Sequence, residues 1–115
     1  MNKEIVVKYS PEFGEQFHEL RKIALKGNSK FHKQLLKAIE REKEILYRNP
    51  HNGIQVKKRQ IPKEYIDKYG VNNLWKINLP NFWRMIYTIT GNELEIISIL
   101  LEFIDHERYN KVFGY

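Results

Sequence analysis

Arg84 stands among Phe82, Trp83, Met85, Ile86 and Tyr87, and a guanidinium that keeps its charge at any working pH is an unusual occupant of so apolar a stretch. Alternation along an extended chain places Phe82, Arg84, Ile86 and Thr88 on one face and Trp83, Met85, Tyr87 and Ile89 on the other. A buried charge without a partner is costly, so Arg84 either meets a carboxylate, with Glu93, Glu95 and Glu102 the candidates, or sits where its face is open. In the open case its planar fork suits a phosphate, to which it can donate two parallel hydrogen bonds. A second reactive group follows the last apolar run: His106, among Asp105, Glu107 and Arg108, in a His-x-x-Tyr stretch that ends at Tyr109. A positioned imidazole titrates near neutral pH and supplies about 10²- to 10⁴-fold in rate as a general acid or base; without positioning it is a surface histidine. Tyr109 and Phe113, with Tyr115 as a third tail aromatic, either cap the core or stack on a nucleobase.

Charge narrows the field of partners. Twenty Lys and Arg against fourteen Asp and Glu leave +6, a surplus that favours an anionic partner. Part of it is concentrated in Lys57-Lys58-Arg59, with Lys63 and Lys68 following; the run is either a solvated loop or a contact to an RNA phosphate backbone. Lys76, beside Trp75, is a candidate for the same role. The chain has no cysteine, no Walker loop, no GxGxxG, no G-x-S-x-G and no metal-spaced set of His and Asp, so the enzyme class with support is metal-free and cofactor-free. No apolar run approaches the roughly 18 residues that span a bilayer, and Met-Asn-Lys-Glu-Ile lacks the layout of a signal peptide. With no disulfide possible, a cytoplasmic protein is expected.

The elements that must position these groups follow from periodicity. Glu4 to Tyr9 reads as a short strand, and Ser10-Pro11-Glu12 supplies an N-cap, a proline at the first helical position and an acid at the positive end of the dipole. Phe13, Phe17, Leu20 and Ala24 then recur at helical spacing until Gly27-Asn28. A second helix runs from Asn28 or Ser29 to about Arg48 on Phe31, Leu35, Ile39 and Leu46, and Asn49-Pro50 stops it. The two form an antiparallel hairpin whose apolar face needs a sheet. Residues 50–73 are the least regular part, with room for a short strand and one helical turn. Strands follow at Leu74–Leu79, Trp83–Thr90 and Leu94–Ile104, joined at Pro80-Asn81 and Gly91-Asn92. Ile96, Ile97, Ile99, Leu100 and Leu101 make the last strand apolar on both faces, which places it centrally. The expected fold is α+β, one domain over 1–115: an N-terminal strand and a two-helix hairpin packed on a twisted antiparallel sheet of mainly three to four strands, with a short C-terminal tail.

The pieces Trp75-Lys76, Trp83-Arg84-Met85-Ile86-Tyr87, and His106 with Tyr109 or Phe113, in that order after a strand and two helices, resemble the RelE/ParE superfamily of toxins from toxin-antitoxin pairs, in particular its RelE-, YoeB- and YafQ-like messenger RNA interferases. The resemblance implies a RelE-like fold and an endoribonuclease that cuts mRNA, in the ribosomal A site, leaving a 2′,3′-cyclic phosphate and a 5′-hydroxyl. It implies Arg84 as the phosphate-binding arginine, His106 as the catalytic proton carrier with help from Tyr109 or a lysine, and a tail aromatic, Tyr109, Phe113 or Tyr115, close to the scissile phosphate and taking part in cleavage. Lys57, Lys58, Arg59 and Lys76 are then RNA-binding, and His51 stands where other members carry a catalytic Glu or His. An antitoxin that covers the helix hairpin and a concave sheet face is the implied partner. Two other outcomes belong to the same superfamily: a ParE-like toxin that poisons DNA gyrase without nuclease activity, and an inactive member that only binds its antitoxin. His106 argues against the first of these, while Lys76 where many members have arginine, and the long 50–73 segment, are the departures that keep the second in view.

Overall fold

A computed structural model of the protein describes residues 3–114. Tyr115, one of the three tail aromatics, lies outside the described residues. Strand β1 (Glu4–Tyr9) is followed by helices α1 (Pro11–Lys26) and α2 (Lys30–Arg48), then by β2 (Ile54–Gln55), α3 (Lys63–Tyr69), β3 (Trp75–Asn78), β4 (Arg84–Gly91), β5 (Glu95–Ile104) and α4 (His106–Phe113).

Both hairpin helices begin as the sequence dictates. The Ser10 hydroxyl accepts from the Phe13 amide at 3.0 Å and donates to the Leu101 carbonyl at 2.6 Å, so one side chain caps α1 and fixes it to β5. Phe13, Phe17, Leu20 and Ala24 of α1 are buried against Leu35, Leu36, Ala38, Ile39 and Leu46 of α2 and one face of the sheet. Each such side chain, fully buried, contributes about 1.5–3 kcal/mol.

The sheet has five strands in the order β1-β5-β4-β3-β2, and it is mixed: β1 lies parallel to β5 and the other pairings are antiparallel. It is therefore wider than the three or four strands expected, because β1 and the two-residue β2 close its edges. Strand β5 is interior rather than central, second in that order with β4 in the middle, and it is buried as its two apolar faces require, hydrogen-bonded to β1 on one side and β4 on the other. A bulge interrupts the second pairing: Ile86 faces Glu102 while Tyr87 faces Leu100, leaving Leu101 as the extra residue. The insertion turns Leu101 toward the face that Glu102 also addresses, away from the α1–α2 side that holds Leu100.

That second face is not the open concavity expected from the sequence. Val56, Ile61, Tyr65, Val71 and Leu74 pack with Ile86, Leu101, Ile104 and Tyr109 into a second core, covered by α3 and α4. The tail is likewise a helix. Asp105 caps it by accepting from the Arg108 amide at 2.9 Å, and Gly114 ends it in the left-handed region at φ 77°. A short segment of mixed polarity carries little periodic signal; Asp105 and Gly114 at its two ends are the residues that could have marked it as a helix rather than a tail.

Two tyrosines pin the irregular segment, one to the sheet and one to helix α1. The buried Tyr87 hydroxyl donates to the Pro50 carbonyl at 2.7 Å and accepts from the Gly53 amide at 3.0 Å; burial pushes it up to about 12. Gly53 sits so close that a Cβ there would stand 2.8 Å from both that hydroxyl and the Lys76 carbonyl. At the other end, the Tyr69 hydroxyl donates to Glu12 at 2.7 Å with Lys68 at 3.7 Å, which holds that carboxyl below its ordinary range.

Tyr87→Phe leaves the Gly53 amide and Pro50 carbonyl without this partner and should cost about 1–3 kcal/mol in urea unfolding, with an unchanged denaturant slope. Because the Glu12 carboxyl is lowered in the folded state, its contribution is complete above the ordinary carboxylate range and is lost as pH falls through the lowered value. Tyr69→Phe should therefore flatten the acid side of the stability profile, read by thermal unfolding at a series of pH values.

Candidate functional site

Arg84 opens β4 and pairs with Ile104 of β5 on one side and Asn78 of β3 on the other. Its side chain shares the α3–α4 face with Ile86, and Lys76, directly across from Ile86, projects from the same face. Helix α4 then lays Tyr109 over both. The Arg84 guanidinium carbon lies 4.8 Å from the centre of the Tyr109 ring, and the Lys76 ammonium donates a hydrogen bond to the Tyr109 hydroxyl. The two cations address the ring differently. A nitrogen bonded to the hydroxyl stands off the ring's rim, so the 5.0 Å from Lys76 Nζ to the ring centre is not a face contact, whereas Arg84 lies within the range of a cation–π interaction.

Among the described residues Arg84 makes no ion pair. Of the two alternatives its sequence setting left open, the salt bridge does not form. Glu102 accepts from the Tyr65 hydroxyl at 2.6 Å and lies 3.7 Å from Arg108, while Glu93 and Glu95 lie at the far end of the β4–β5 hairpin. Arg108 is the arginine that the carboxylates take. Burial works against its charge, but the hydrogen bond it donates to Glu64 and the fields of Glu102 and Glu64 outweigh it and raise its pKa above the ordinary value. Burial, then the bond to Glu102, raise the Tyr65 hydroxyl far above the ordinary phenol range, so it is a fixed donor and holds that carboxylate away from Arg84. Arg84 itself uses one donor, Nη1, on the Trp83 carbonyl at 3.2 Å. Its half-buried charge and remaining donors suit an anion.

His106 is the first residue of α4, exposed, with Nε2 3.2 Å from the Asn110 side-chain nitrogen. It stands on the side of the helix that carries Tyr109, one turn on, and its ring centre is 5.7 Å from that of Phe82. The fold thus brings Arg84, Lys76, Tyr109 and His106 to one end of the sheet. The other sequence candidates lie elsewhere. His51 packs on Trp75 at 5.2 Å, and Trp75 belongs to the α1–α2 face. Lys57, Lys58 and Arg59 are exposed on a 3₁₀ turn after β2, whose register with β3 runs from Lys76 toward Trp75 and so leads away from Arg84. Phe113 packs between Tyr65 and Tyr109, at 6.1 and 4.7 Å, as part of the second core. Among the described residues, no group of three or more His, Asp or Glu side chains is placed to hold a metal ion.

The sequence marks Phe82 only as one position in an alternating strand. It lies instead in the 3₁₀ turn at 80–82, where Asn81 and Phe82 both take positive φ, 59° and 65°, and the Phe82 ring is 69% exposed. An asparagine tolerates that region, but in a bulky residue it is strained, by about 1–3 kcal/mol. Pro80-Asn81 was the sequence signal, since it forces a tight reversal directly before Arg84.

The fold resembles a solved YoeB/ParE toxin from Agrobacterium tumefaciens, with a TM-score of 0.60 over 88% of this chain and 98% of that one at 9% sequence identity. No curated protein sequence matches the chain. The family model of the ParE toxin of type II toxin-antitoxin systems, parDE, matches residues 7–102. The match takes in the helix hairpin, Lys76 and Arg84, and ends before His106 and Tyr109. Spanning most of the sequence as it does, it establishes that the chain belongs to the ParE toxin family of type II toxin-antitoxin systems.

Proposed function

We propose that this toxin is a metal-independent endoribonuclease that cleaves messenger RNA in the ribosomal A site, in the cytoplasm, and so inhibits translation. The observation that carries the reading is the pair of cations, Arg84 and Lys76, gathered at Tyr109 with no carboxylate among the described residues neutralising Arg84 and with an exposed imidazole on the same helix. A ribose 2′-oxygen attacks the adjacent phosphorus as its proton leaves; the bond to the 5′-oxygen breaks and that oxygen gains a proton, leaving a 2′,3′-cyclic phosphate and a 5′-hydroxyl. The phosphoryl oxygens carry extra negative charge in the transition state, and Arg84 donates to them from a water-poor face where such bonds are strongest. His106 takes or delivers the proton. Tyr109, only 4% exposed, is a positioning residue that sets the guanidinium and the ammonium by its ring and hydroxyl. The exposed Lys57-Lys58-Arg59 run contacts the phosphate backbone of the larger RNA.

Family membership implies a cognate antitoxin, and the same uncompensated charge gives it a target: carboxylates laid over Arg84 and Lys76 neutralise the site. Such binding weakens as salt rises.

One observation favours a second reading, inhibition of DNA gyrase. The family matched is that of ParE toxins, and the matched residues 7–102 exclude His106 and Tyr109.

Purified protein added to a reconstituted translation reaction, with 5′ ends mapped on the message, separates the two. Cuts at codon boundaries are expected, slowed by about 10²-fold or more in Arg84→Ala and in His106→Ala while both variants stay folded. Intact message together with blocked supercoiling would establish gyrase inhibition instead.

A further inference from the structure

The turn at 80–82 separates two surfaces. On one side Phe82 points its exposed ring toward His106, two residues ahead of Arg84. On the other, Pro80 meets α2 across an open cleft of about 460 Å³ lined by Gln34, Lys37, Ala38 and Arg41. Lys37 and Arg41 lie one helical turn apart on an exposed face of α2, and neither takes part in an ion pair among the described residues. The backbone beneath the ring is held left-handed at two successive residues. Positive φ at both central positions is what a tight reversal between β3 and β4 requires, but that turn favours asparagine or glycine there, and nothing in it calls for an exposed aromatic at the second position.

We propose that this turn is a track for single-stranded RNA: an unpaired base next to the scissile phosphate stacks on Phe82, and the strand continues over Pro80 with its phosphates on Lys37 and Arg41. A stacking platform beside a cationic groove is the arrangement that holds single strands without reading their sequence, since every base has a flat face and every nucleotide a charge. The inference rests on the nuclease reading above and assigns residues that reading does not use.

The test is binding of a short single strand with 2′-O-methyl riboses, which blocks the attacking hydroxyl, alongside a version with abasic positions. Variants are Phe82→Gly and the double change Lys37→Ala with Arg41→Ala. Phe82→Gly should weaken binding of the intact strand by about 5- to 150-fold, the equivalent of about 1 to 3 kcal/mol, and abolish the preference over the abasic strand. Its salt slope should stay that of the parent, and its unfolding temperature should be equal or higher because glycine accepts the left-handed backbone. The double variant should lower the slope of log affinity against log salt by about 1.4, two phosphates at about 0.7 each for a single strand. Phe82→Gly binding both strands like the parent, or an unchanged salt slope in the double variant, overturns the track alone. A parent protein that binds neither strand and leaves message intact overturns the nuclease reading with it. Loss of gyrase inhibition in Phe82→Gly with RNA binding unchanged assigns the ring to a protein contact and also rejects the track.

Discussion

Strand β5 is paired along both edges and apolar on both faces, and that constraint organises the rest of the molecule. One face is satisfied by the helix hairpin, through Phe13, Leu35 and Ile39 against Leu100 and Phe103. The other presents Leu101 and Ile104, and water cannot be left on them without losing their transfer energy. The chain must therefore return twice over that side, once as α3 with Tyr65 and once as α4 with Tyr109. Covering the strand delivers Tyr109 to Arg84. The site is thus a by-product of completing the core, and its position is tied to the register of β4 against β5.

Within the site, the distribution of carboxylates matters more than the count of cations. Glu64 and Glu102 are committed to Arg108 and Tyr65, an arrangement that ties α3, α4 and β5 together and removes those acids from reach of Arg84. An arginine paired with Glu102 would have been a structural link. Left with an aromatic face and one backbone carbonyl, its charge is only partly compensated, and a phosphate restores what desolvation removed. Lys76 adds a second positive charge through the hydroxyl rather than the ring, so one tyrosine orients two cations by two different physical interactions.

Much of this was legible in the sequence. The Ser10 cap, the apolar spacing of α1 and α2, the turns at Pro80-Asn81 and Gly91-Asn92 and the interior place of β5 all rest on local chemistry or short periods. The alternation that put Arg84 with Ile86 and opposite Met85 and Tyr87 also holds. What escaped was non-local. The double-sided polarity of β5 already demanded a second layer, but nothing local marks Ile61, Tyr65 and Val71 as that layer. Two-residue β2 has too few positions for a period, and the parallel pairing of β1 with β5 is fixed only when the sheet assembles. The Leu101 bulge is invisible until β4 supplies a register. Among site residues, Arg84 with His106 and Tyr109 stood out by type and setting. The part played by Lys76 depended on where α4 returns, and that of Phe82 on a backbone conformation that composition does not encode.

The site is held by the contact between Arg84 and Tyr109, and a double-mutant cycle on folding stability measures it most directly. Arg84→Met, Tyr109→Leu and the double variant would be unfolded in urea beside the parent protein. A coupling of about 1 kcal/mol or more, as expected for a half-buried guanidinium on an aromatic face, is the predicted result. Effects that add within about 0.3–0.5 kcal/mol would mean that the tyrosine does not hold the arginine, and the site as described would lose its basis.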